Sequence, residues 1–280
     1  MGQTRVIRTR AELRKALAGS PRPIGLVPTM GWLHAGHRAL MARSRAENAT
    51  TVASIFVNPR QFGEADDFQR YPRNEAHDVE ICAAEGIDFV WAPSVDEVYV
   101  PGFDTTVSVG SVADPLEGAA RPGHFDGVAT VVAILFGLVG ADRAYFGQKD
   151  AQQVMVIRRM ALDLALPTEV VACPTVREAD GLALSSRNVH LTPTQRSAAP
   201  VLHRALSAAR DRWAAGERSG DALRATMTAI LATEPLAEAD YVSVADALTL
   251  KEADRIDGPA LASLAVRFGT TRLIDNELLG

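Results

Sequence analysis

The stretch over residues 24–37 constrains the fold more than any other part of the chain, because a strand pattern changes there into a helical one. The apolar run from Ile24 is typical of a buried parallel strand, and Pro28 and Gly31 interrupt it before a helical pattern begins near His34. The first N–H groups of a helix have no intrahelical acceptor, and the helix dipole is positive at that end. A strand, a tight loop and a helix start therefore predict a phosphate site.

Two histidines stand at this helix start. His34 and His37 are three residues apart, so they share one face of the helix, and Gly36 between them leaves room for a ligand to come close. Either histidine alone would be interpreted as a solvated side chain near a helix end. The pair, placed after a buried strand and a Pro-Gly loop, favours binding of a polyphosphate whose charge grows during a reaction.

Strand and helix patterns alternate along the first two thirds of the chain, which indicates a parallel, doubly wound sheet. An apolar helix is predicted within residues 127–141, after a Gly-rich loop over residues 117–128, and a charged loop is predicted over residues 66–73. Strands are predicted at residues 6–7, 24–27, 51–57, 87–91, 105–109, 144–146 and 168–173.

Polar side chains follow two of these strands. Asn58 and Gln61 come directly after the strand at residues 51–57, and Lys149 follows the strand at residues 144–146. In a doubly wound sheet, ligands bind beyond the carboxyl ends of the strands. We therefore expect these side chains to lie near a substrate, although Lys149 alone would be interpreted as a surface lysine.

The pattern changes after about residue 175. Asp180 and Gly181 signal a turn, and Thr192 begins a predicted helix that ends near residue 216. A second helix is predicted over residues 221–232, and a hairpin is predicted about Gly269. The sequence thus predicts an α/β domain over residues 1–175 and a smaller α+β domain over residues 176–280.

Composition excludes several classes of protein. The chain has 280 residues and a formal net charge of −5, which argues against non-specific nucleic-acid binding. Residues 1–5 are polar and develop no apolar signal core, and residues 127–141 fall short of the ~20 residues that a membrane helix needs. Cys82 and Cys173 lack metal-type spacing and indicate reduced thiols of a cytosolic protein; a disulfide between them is the less favoured alternative.

The His-x-Gly-His pattern resembles the signature of the nucleotidylyltransferase superfamily, which includes the class I aminoacyl-tRNA synthetases. The longer pattern Pro-Thr-Met-Gly-x-Leu-His-x-Gly-His, over residues 28–37, resembles the pantoate–β-alanine ligase (pantothenate synthetase) family much more specifically. Several ordered matches extend the resemblance over essentially the whole chain. They lie at residues 28–37, 54–62, 71–73, 117–132, 146–153 and 184–188.

The resemblance implies a ligase that makes pantothenate from pantoate, β-alanine and ATP with Mg²⁺, and that releases AMP and pyrophosphate by way of a pantoyl adenylate. It also implies a cytoplasmic homodimer that binds neither nucleic acid nor a membrane. The domain over residues 1–175 would be Rossmann-like and would bind nucleotide and pantoate. The domain over residues 176–280 would act as a lid.

Site residues follow from the resemblance position by position. His34, His37, Lys149 and Arg187 would be the catalytic donors, and no protein side chain is assigned to a metal. Gln61, Gln153, Asn58 and Tyr71 would bind pantoate or β-alanine, and Arg121 and His124 match a loop near the dimer interface and the site. ATP would be contacted by Thr29, Met30, Gly31, Trp32, Leu33, His34, Ala35, Gly36, His37, Gly147, Gln148, Lys149, Asp150, Val176, Leu184, Ser185, Ser186 and Arg187.

The chain departs from common family usage at a few positions. Trp32 and Ala35 replace residues that are often alanine and glutamate, and Gln148 stands where glutamate is frequent. His77 lies where acidic residues often occur, which weakens any metal role for that segment.

Two other functions remain as alternatives. One is a nucleotidylyltransferase that transfers AMP or CMP without forming an amide, which would not require Gln61 and Gln153 together. The other is a non-catalytic nucleotide-binding module, which the presence of all four catalytic donors disfavours. A tRNA synthetase is disfavoured because no basic face or anticodon-binding region is visible.

Overall fold

The computed structural model describes residues 3–63 and 65–280, without the side chains of residues 65–67. Residues 1 and 2 of the polar N-terminal stretch lie outside the described residues. The chain divides into two compact units, one formed by Met1–Gly147 with Gln152–Pro174 and the other by Gln148–Ala151 with Thr175–Gly280.

The first unit contains a parallel sheet with strand order β1-β4-β3-β2-β5-β6. The order runs outward from β2 in both directions, through β3 and β4 on one side and through β5 and β6 on the other. The topological switch point of this doubly wound sheet therefore lies between β2 and β5. Within the described residues, the strands are β1 (Arg5–Ile7), β2 (Ile24–Thr29), β3 (Thr50–Ile55), β4 (Phe89–Trp91), β5 (Arg143–Gly147) and β6 (Glu169–Cys173).

Helices connect these strands, as the alternating pattern predicts. The first helix begins with a capping box, in which Thr9 and Glu12 satisfy each other's backbone N–H groups. The helices are α1 (Arg10–Leu17), α2 (Ala35–Glu47), α3 (Ala65–Arg70), α4 (Glu75–Ala84), α5 (Val95–Val98), α6 (Glu117–Ala120), α7 (His124–Val139) and α8 (Ala151–Asp163).

The core lies on both faces of the sheet. On one face, α7 is buried along most of its length and packs in a cluster with Leu26, Val52 and Ile157. On the other face, Met41 of α2 and Cys82 of α4 pack around Val90 and Tyr145. Each fully buried Leu, Ile, Val or Met side chain stabilises the fold by about 1.5–3 kcal/mol.

The apolar sequence of α7 is thus explained by burial in the core, as predicted. None of the described helices is both long and apolar enough to span a membrane. Cys82 and Cys173 are buried free thiols, and burial raises the pKa of Cys82 to about 12.

The second unit packs helices on an antiparallel sheet of order β7-β8-β9. The central strand β8 is almost entirely buried, and Leu264 and Val266 on it lie in one cluster with Leu206 and Leu223 of the helices. The elements are α9 (Pro193–Ala198), α10 (Val201–Ala214), α11 (Gly220–Leu231), β7 (Glu238–Asp246), β8 (Ala260–Phe268) and β9 (Thr271–Leu279).

Four sequence-based predictions of local structure are wrong. No strand forms at residues 105–109, where the backbone N–H of Val107 donates instead to Thr130 Oγ1 at 3.0 Å. The predicted helix from Thr192 is divided at Pro200, because proline has no N–H to continue the hydrogen-bond ladder. The predicted loops at residues 66–73 and 117–128 contain the helices α3, α6 and the start of α7.

Candidate active site

The loop after β2 is fixed by backbone contacts. Thr29 Oγ1 donates to the carbonyl of Ser54 at 2.7 Å and accepts from the N–H of Gly31 at 3.1 Å. Gly31 and Trp32, two consecutive residues of this loop, have φ of +82° and +54°. Gly31 is required there, since an added Cβ would also lie 2.8 Å from Asp78 Oδ2.

The paired histidines cap α2. His34 is the N-cap residue, and its Nδ1 accepts from the N–H of Gly36 at 3.1 Å. The Nδ1 atom of His37 accepts from the N–H of His34 at 3.3 Å, and the ring centroids lie 4.1 Å apart. In the neutral form of each ring the proton must then be on Nε2, because Nδ1 is an acceptor. The backbone thus sets both imidazoles as Nε2–H donors.

Asn58 and Gln61 lie in a 3₁₀ turn, Pro59–Gln61, directly after β3. Asn58 is 1% exposed, and its Nδ2 donates to Gln61 Oε1 and to the carbonyl of Gly127, each at 3.0 Å. Its Oδ1 accepts from the N–H of Arg60 at 3.2 Å and from the hydroxyl of Tyr99 at 2.6 Å. Two donors and two acceptor positions fill the hydrogen-bonding capacity of the amide. Asn58 therefore orients Gln61, while its contact with substrate stays a prediction.

Gln61 and Met30 meet at the carboxyl edge of the sheet. Gln61 Nε2 lies 3.2 Å from Met30 Sδ, so the turn after β3 contacts the end of β2. The Nδ1–H of His124 donates to the backbone carbonyl of Gln61 at 2.9 Å. Arg121 Nη1 lies 3.2 Å from His124 Nε2, the acceptor nitrogen of that tautomer. Arg121 and His124 thus support the backbone of Gln61.

The helix α7 touches the same turn through Gly127. A Cβ on Gly127 would lie 2.3 Å from the carbonyl oxygen of Arg60 and 2.6 Å from the backbone nitrogen of Gln61. Only glycine permits this approach of helix and turn. The apolar helix of the core is therefore in direct backbone contact with the predicted pantoate site.

Aromatic side chains surround the turn. Burial raises the pKa of Tyr99 to about 12, and its ring lies 5.5 Å from the guanidinium of Arg60. Tyr71, a predicted substrate contact, packs its ring edge-on against Phe62 at a centroid distance of 5.8 Å.

Gln153 lies in the first turn of α8 and is half-buried. Among the residues that the structure describes, none forms a hydrogen bond with its side chain. Its amide therefore has both donors and its acceptor available to a polar ligand.

In the second unit, Asn276 of β9 holds the turn that carries Lys149. Asn276 Nδ2 donates to the carbonyls of Gln148 at 2.9 Å and of Lys149 at 2.8 Å, and its Oδ1 accepts from Gln148 Nε2 at 3.2 Å. Lys149 Nζ lies 3.4 Å from Asp150 Oδ1. The lysine is thus set by a strand more than a hundred residues later in the chain.

The segment that carries Arg187 is also held locally. The N–H of Leu184 donates to the carbonyl of Val176 at 2.9 Å, and Ser185 Oγ accepts from the N–H of Arg187 at 3.2 Å. Arg187 is half-buried, and its guanidinium has no partner among the described side chains. Lys149 and Ser185 line the same small cavity of this unit.

Three residues of these networks carry no sequence signal. Asp78, which bonds to the loop after β2, looks like a solvated acid of a helix, and Asn276 looks like one more polar residue of a strand. Tyr99 follows a short helix without a motif. Their roles come from partners that are distant in sequence.

Comparison with known proteins decides the family. The family model described as pantoate-beta-alanine ligase matches residues 5–278. The chain belongs to the pantoate–β-alanine ligase family. It is 62% identical over 275 residues to the pantothenate synthetase of Roseiflexus sp. (strain RS-1), with 98% of this chain and 99% of that protein covered. It is 58% identical over 276 residues to that of Chloroflexus aggregans, with 98% and 99% covered.

Solved structures agree with this family. The crystal structure of pantothenate synthetase from Thermus thermophilus matches with a TM-score of 0.93 and 49% identity, with 98% of each chain covered. The pantoate-beta-alanine ligase of Francisella tularensis matches with a TM-score of 0.80 and 32% identity, with 98% of this chain and 97% of that chain covered. That structure is a complex with beta-gamma ATP and beta-alanine.

These relatives confirm the predicted fold class, a Rossmann-like doubly wound sheet with a smaller α+β domain. They also confirm the resemblance on which the site residues were assigned. Pantoate–β-alanine ligases are carbon–nitrogen ligases of pantothenate biosynthesis, and the match favours that reaction over nucleotidyl transfer without amide formation.

Proposed function

We propose that the carboxyl edge of the first unit's sheet carries out the reaction of this ligase family on ATP, pantoate and β-alanine. The observation that carries the proposal is the histidine-capped start of α2, which follows the end of β2 beside the topological switch point. Ligands of doubly wound sheets bind at such points, and a helix start favours phosphate.

The first step joins pantoate to AMP. A carboxylate with a pKa of ~4 is already ionised at neutral pH, so attack on the α-phosphorus needs no general base. A carboxylate oxygen forms a bond to the α-phosphorus, the bond from that phosphorus to the bridging oxygen breaks, and pyrophosphate leaves. The reaction needs alignment of two anions and donors for the charge that develops. The Nε2–H groups of His34 and His37 supply such donors.

Pantoate is assigned to Gln61 and Gln153. An uncharged amide can bond both a hydroxyl and a carboxylate, which suits a hydroxy acid. Gln61 is pre-oriented by Asn58, so its Nε2 needs little reorganisation when the substrate binds. Tyr71 remains a further proposed contact for pantoate or β-alanine.

The second step forms the amide. The neutral amine of β-alanine attacks the acyl carbon of the adenylate, a C–N bond forms, the bond from that carbon to the phosphate oxygen breaks, and AMP leaves. The amine loses one proton to solvent water as the amide forms. Because an acyl adenylate is a strong electrophile, this step mainly needs proximity and the exclusion of water.

Lys149 and Arg187 are proposed as further cationic donors to the phosphates. A lysine ammonium is a compact charge suited to phosphate, and a guanidinium can grip two oxygens at once. The backbone and hydroxyl groups of Ser185 and Ser186 are assigned to the same ligand. The role of residues 176–280 as a lid stays a prediction.

Mg²⁺ is treated as part of the ATP substrate. Among the described residues, no group of three or more His, Cys, Asp or Glu side chains is arranged to hold a metal ion. Mg²⁺ commonly keeps several waters and binds through substrate phosphates, so this chain's donors are expected to bind the phosphates rather than the ion. The homodimer and the cytoplasmic location also stay predictions, and light scattering of the purified chain tests the first of them.

The deciding experiment measures AMP release with ATP, Mg²⁺, pantoate and β-alanine, omitting one component at a time. His37→Ala is compared with the wild type and with His77→Ala, a histidine exposed on α4. We expect AMP release to need both pantoate and β-alanine, to fall at least ~100-fold in His37→Ala, and to persist in the control. Folded, ATP-binding protein without pantoate-dependent turnover would refute the ligase assignment.

A further inference from the structure

Asp78 is a buried acid of the first unit that the reaction described above does not use. It lies on α4 and is 1% exposed. Both of its carboxylate oxygens accept backbone hydrogen bonds from the loop after β2, Oδ2 from the N–H of Trp32 at 2.9 Å and Oδ1 from the N–H of Leu33 at 2.7 Å. One side chain thus binds two successive peptide groups of a different element.

The bound peptide groups have an unfavourable conformation. Gly31 and Trp32 both have positive φ, and for a bulky residue such as Trp32 this region is strained. A strained backbone persists only where its surroundings determine it. The two hydrogen bonds to Asp78 contribute to that determination, because together they hold both N–H groups at one buried carboxylate.

The loop leads directly into the histidine pair. Leu33 is buried and is followed by His34, the N-cap residue of α2. A shift of the peptide before His34 would move its N–H, which donates to His37 Nδ1 and sets the tautomer of that ring. The orientation of both imidazoles therefore depends on the loop that Asp78 holds.

We propose that Asp78 is a positioning residue for the histidine pair and that it acts through the backbone of Trp32 and Leu33 without touching substrate. The proposal rests on the proposed function, in which His34 and His37 bind the phosphates. A carboxylate is required, since an asparagine would turn one acceptor into a donor that faces an N–H group. Both oxygens of Asp78 accept N–H groups of the loop, so the proposed role is to hold that backbone.

The test compares Asp78→Asn and Asp78→Ala with a matched control, Asp142→Asn. Asp142 Oδ2 also accepts a backbone N–H, that of Ile24 at 2.6 Å, but at the opposite end of β2. We expect kcat for AMP release to fall ~10- to 100-fold in both Asp78 variants, because a misplacement of about 1 Å costs this much. The KM for pantoate should change less than ~3-fold, and the control should keep its kcat within ~3-fold.

Two readouts separate positioning from a merely structural role. Trp32→Gly, added to Asp78→Ala, should restore kcat at least ~5-fold, because glycine adopts positive φ without the carboxylate. In histidine-ring ¹⁵N NMR, the wild type should show the Nε2–H tautomer for His34 and His37, and folded Asp78→Asn should show mixed tautomers.

Each outcome decides the proposal. Unchanged kcat in folded Asp78→Asn, or a loss that glycine does not restore, would overturn it. If the Asp78 variants do not fold, restored folding in the Trp32→Gly background supports the proposal, and its absence contradicts it. Activity that survives His37→Ala instead refutes the proposed function itself, so the two failures are distinguishable.

Discussion

His37 accepts, through Nδ1, the backbone hydrogen bond that His34 donates at 3.3 Å, while His34 Nδ1 accepts from Gly36 at 3.1 Å. One pair of side chains thus caps the helix, and the backbone N–H groups that it accepts set its tautomers. Each ring caps the helix through Nδ1 and, in the function proposed above, donates to phosphate through Nε2–H. A substitution that keeps the helix cap but removes the Nε2–H donor should separate the two functions.

His34→Asn is the substitution that separates capping from catalysis. Asparagine is a favourable N-cap residue, so the free energy of unfolding should stay within about 0.5 kcal/mol of the wild type. The variant lacks the Nε2–H donor, and kcat for AMP release should fall by about 10²–10³-fold. His34→Ala should lose the cap as well, at a cost of about 1 kcal/mol. Urea unfolding and steady-state AMP release measure the two quantities. Equal stability losses in both variants would contradict the capping role.

Gly127→Ala tests the contact between α7 and the turn that carries Gln61. The added Cβ would lie 2.3 Å from the carbonyl oxygen of Arg60, so the backbone must shift, which should cost about 1–3 kcal/mol. The KM for pantoate should rise because Gln61 moves with the turn. Gly137→Ala in the same helix is the control, since nothing lies within 4 Å of its added Cβ. It should stabilise the chain by about 0.8–1 kcal/mol. A higher midpoint of thermal unfolding for Gly127→Ala than for Gly137→Ala would refute this contact between α7 and the turn.

Tyr99→Phe tests the alkaline pH dependence of stability. The pKa of Tyr99 is raised from 10 to about 12, first of all by burial, so its folded form keeps a proton that the unfolded form releases above pH 10. Stability contributed by Tyr99 is therefore present below pH 10 and is lost as the pH rises toward 12. Urea midpoints measured between pH 9 and about 11 should fall less steeply in Tyr99→Phe.

Tyr145→Phe is the control for Tyr99→Phe, because the pKa of Tyr145 is also raised to about 12, chiefly by burial. In both variants the urea midpoint should fall less steeply than in the wild type as the pH rises above 9. Only Tyr99→Phe removes the hydrogen bond to Asn58 Oδ1, so only it should raise the KM for pantoate or β-alanine. Equal KM values in the two variants would argue against the Tyr99–Asn58–Gln61 network.

Asn276→Ala tests the support of Lys149. The carbonyls of Gln148 and Lys149 would each lose a hydrogen bond, and a cost of about 1–3 kcal/mol in unfolding free energy is expected. The KM for ATP should rise, as it should in Lys149→Ala. In the double variant the two effects on KM should be less than additive, because both changes act on one contact. Ser263→Ala in the neighbouring strand is the control, since its buried hydroxyl has no partner among the described residues. Full additivity would show that Asn276 does not act through Lys149.

Sequence patterns within single helices, strands and turns predict much of the fold. The helix start at Thr192, the apolar α7 and the hairpin about Gly269 appear where the sequence predicts them. The predictions failed at residues 105–109 and at Pro200, where a buried threonine hydroxyl or a missing N–H outweighed the local pattern. The roles proposed for the site residues follow from residue type and family resemblance.

The sequence by itself determined the alternation of the sheet's strands with helices, the strand–loop–helix unit that ends at the histidine pair, and the family. The first two depend on residues within a few positions of one another, where periodicity and capping act, and the family follows from ordered matches along the chain. Tertiary structure alone decided that Asp78 holds Trp32 and Leu33, that Tyr99 completes the bonds of Asn58, and that Asn276 holds the turn of Lys149. Such pairs join residues far apart in the chain, because a buried polar group takes the partner that packing brings to it.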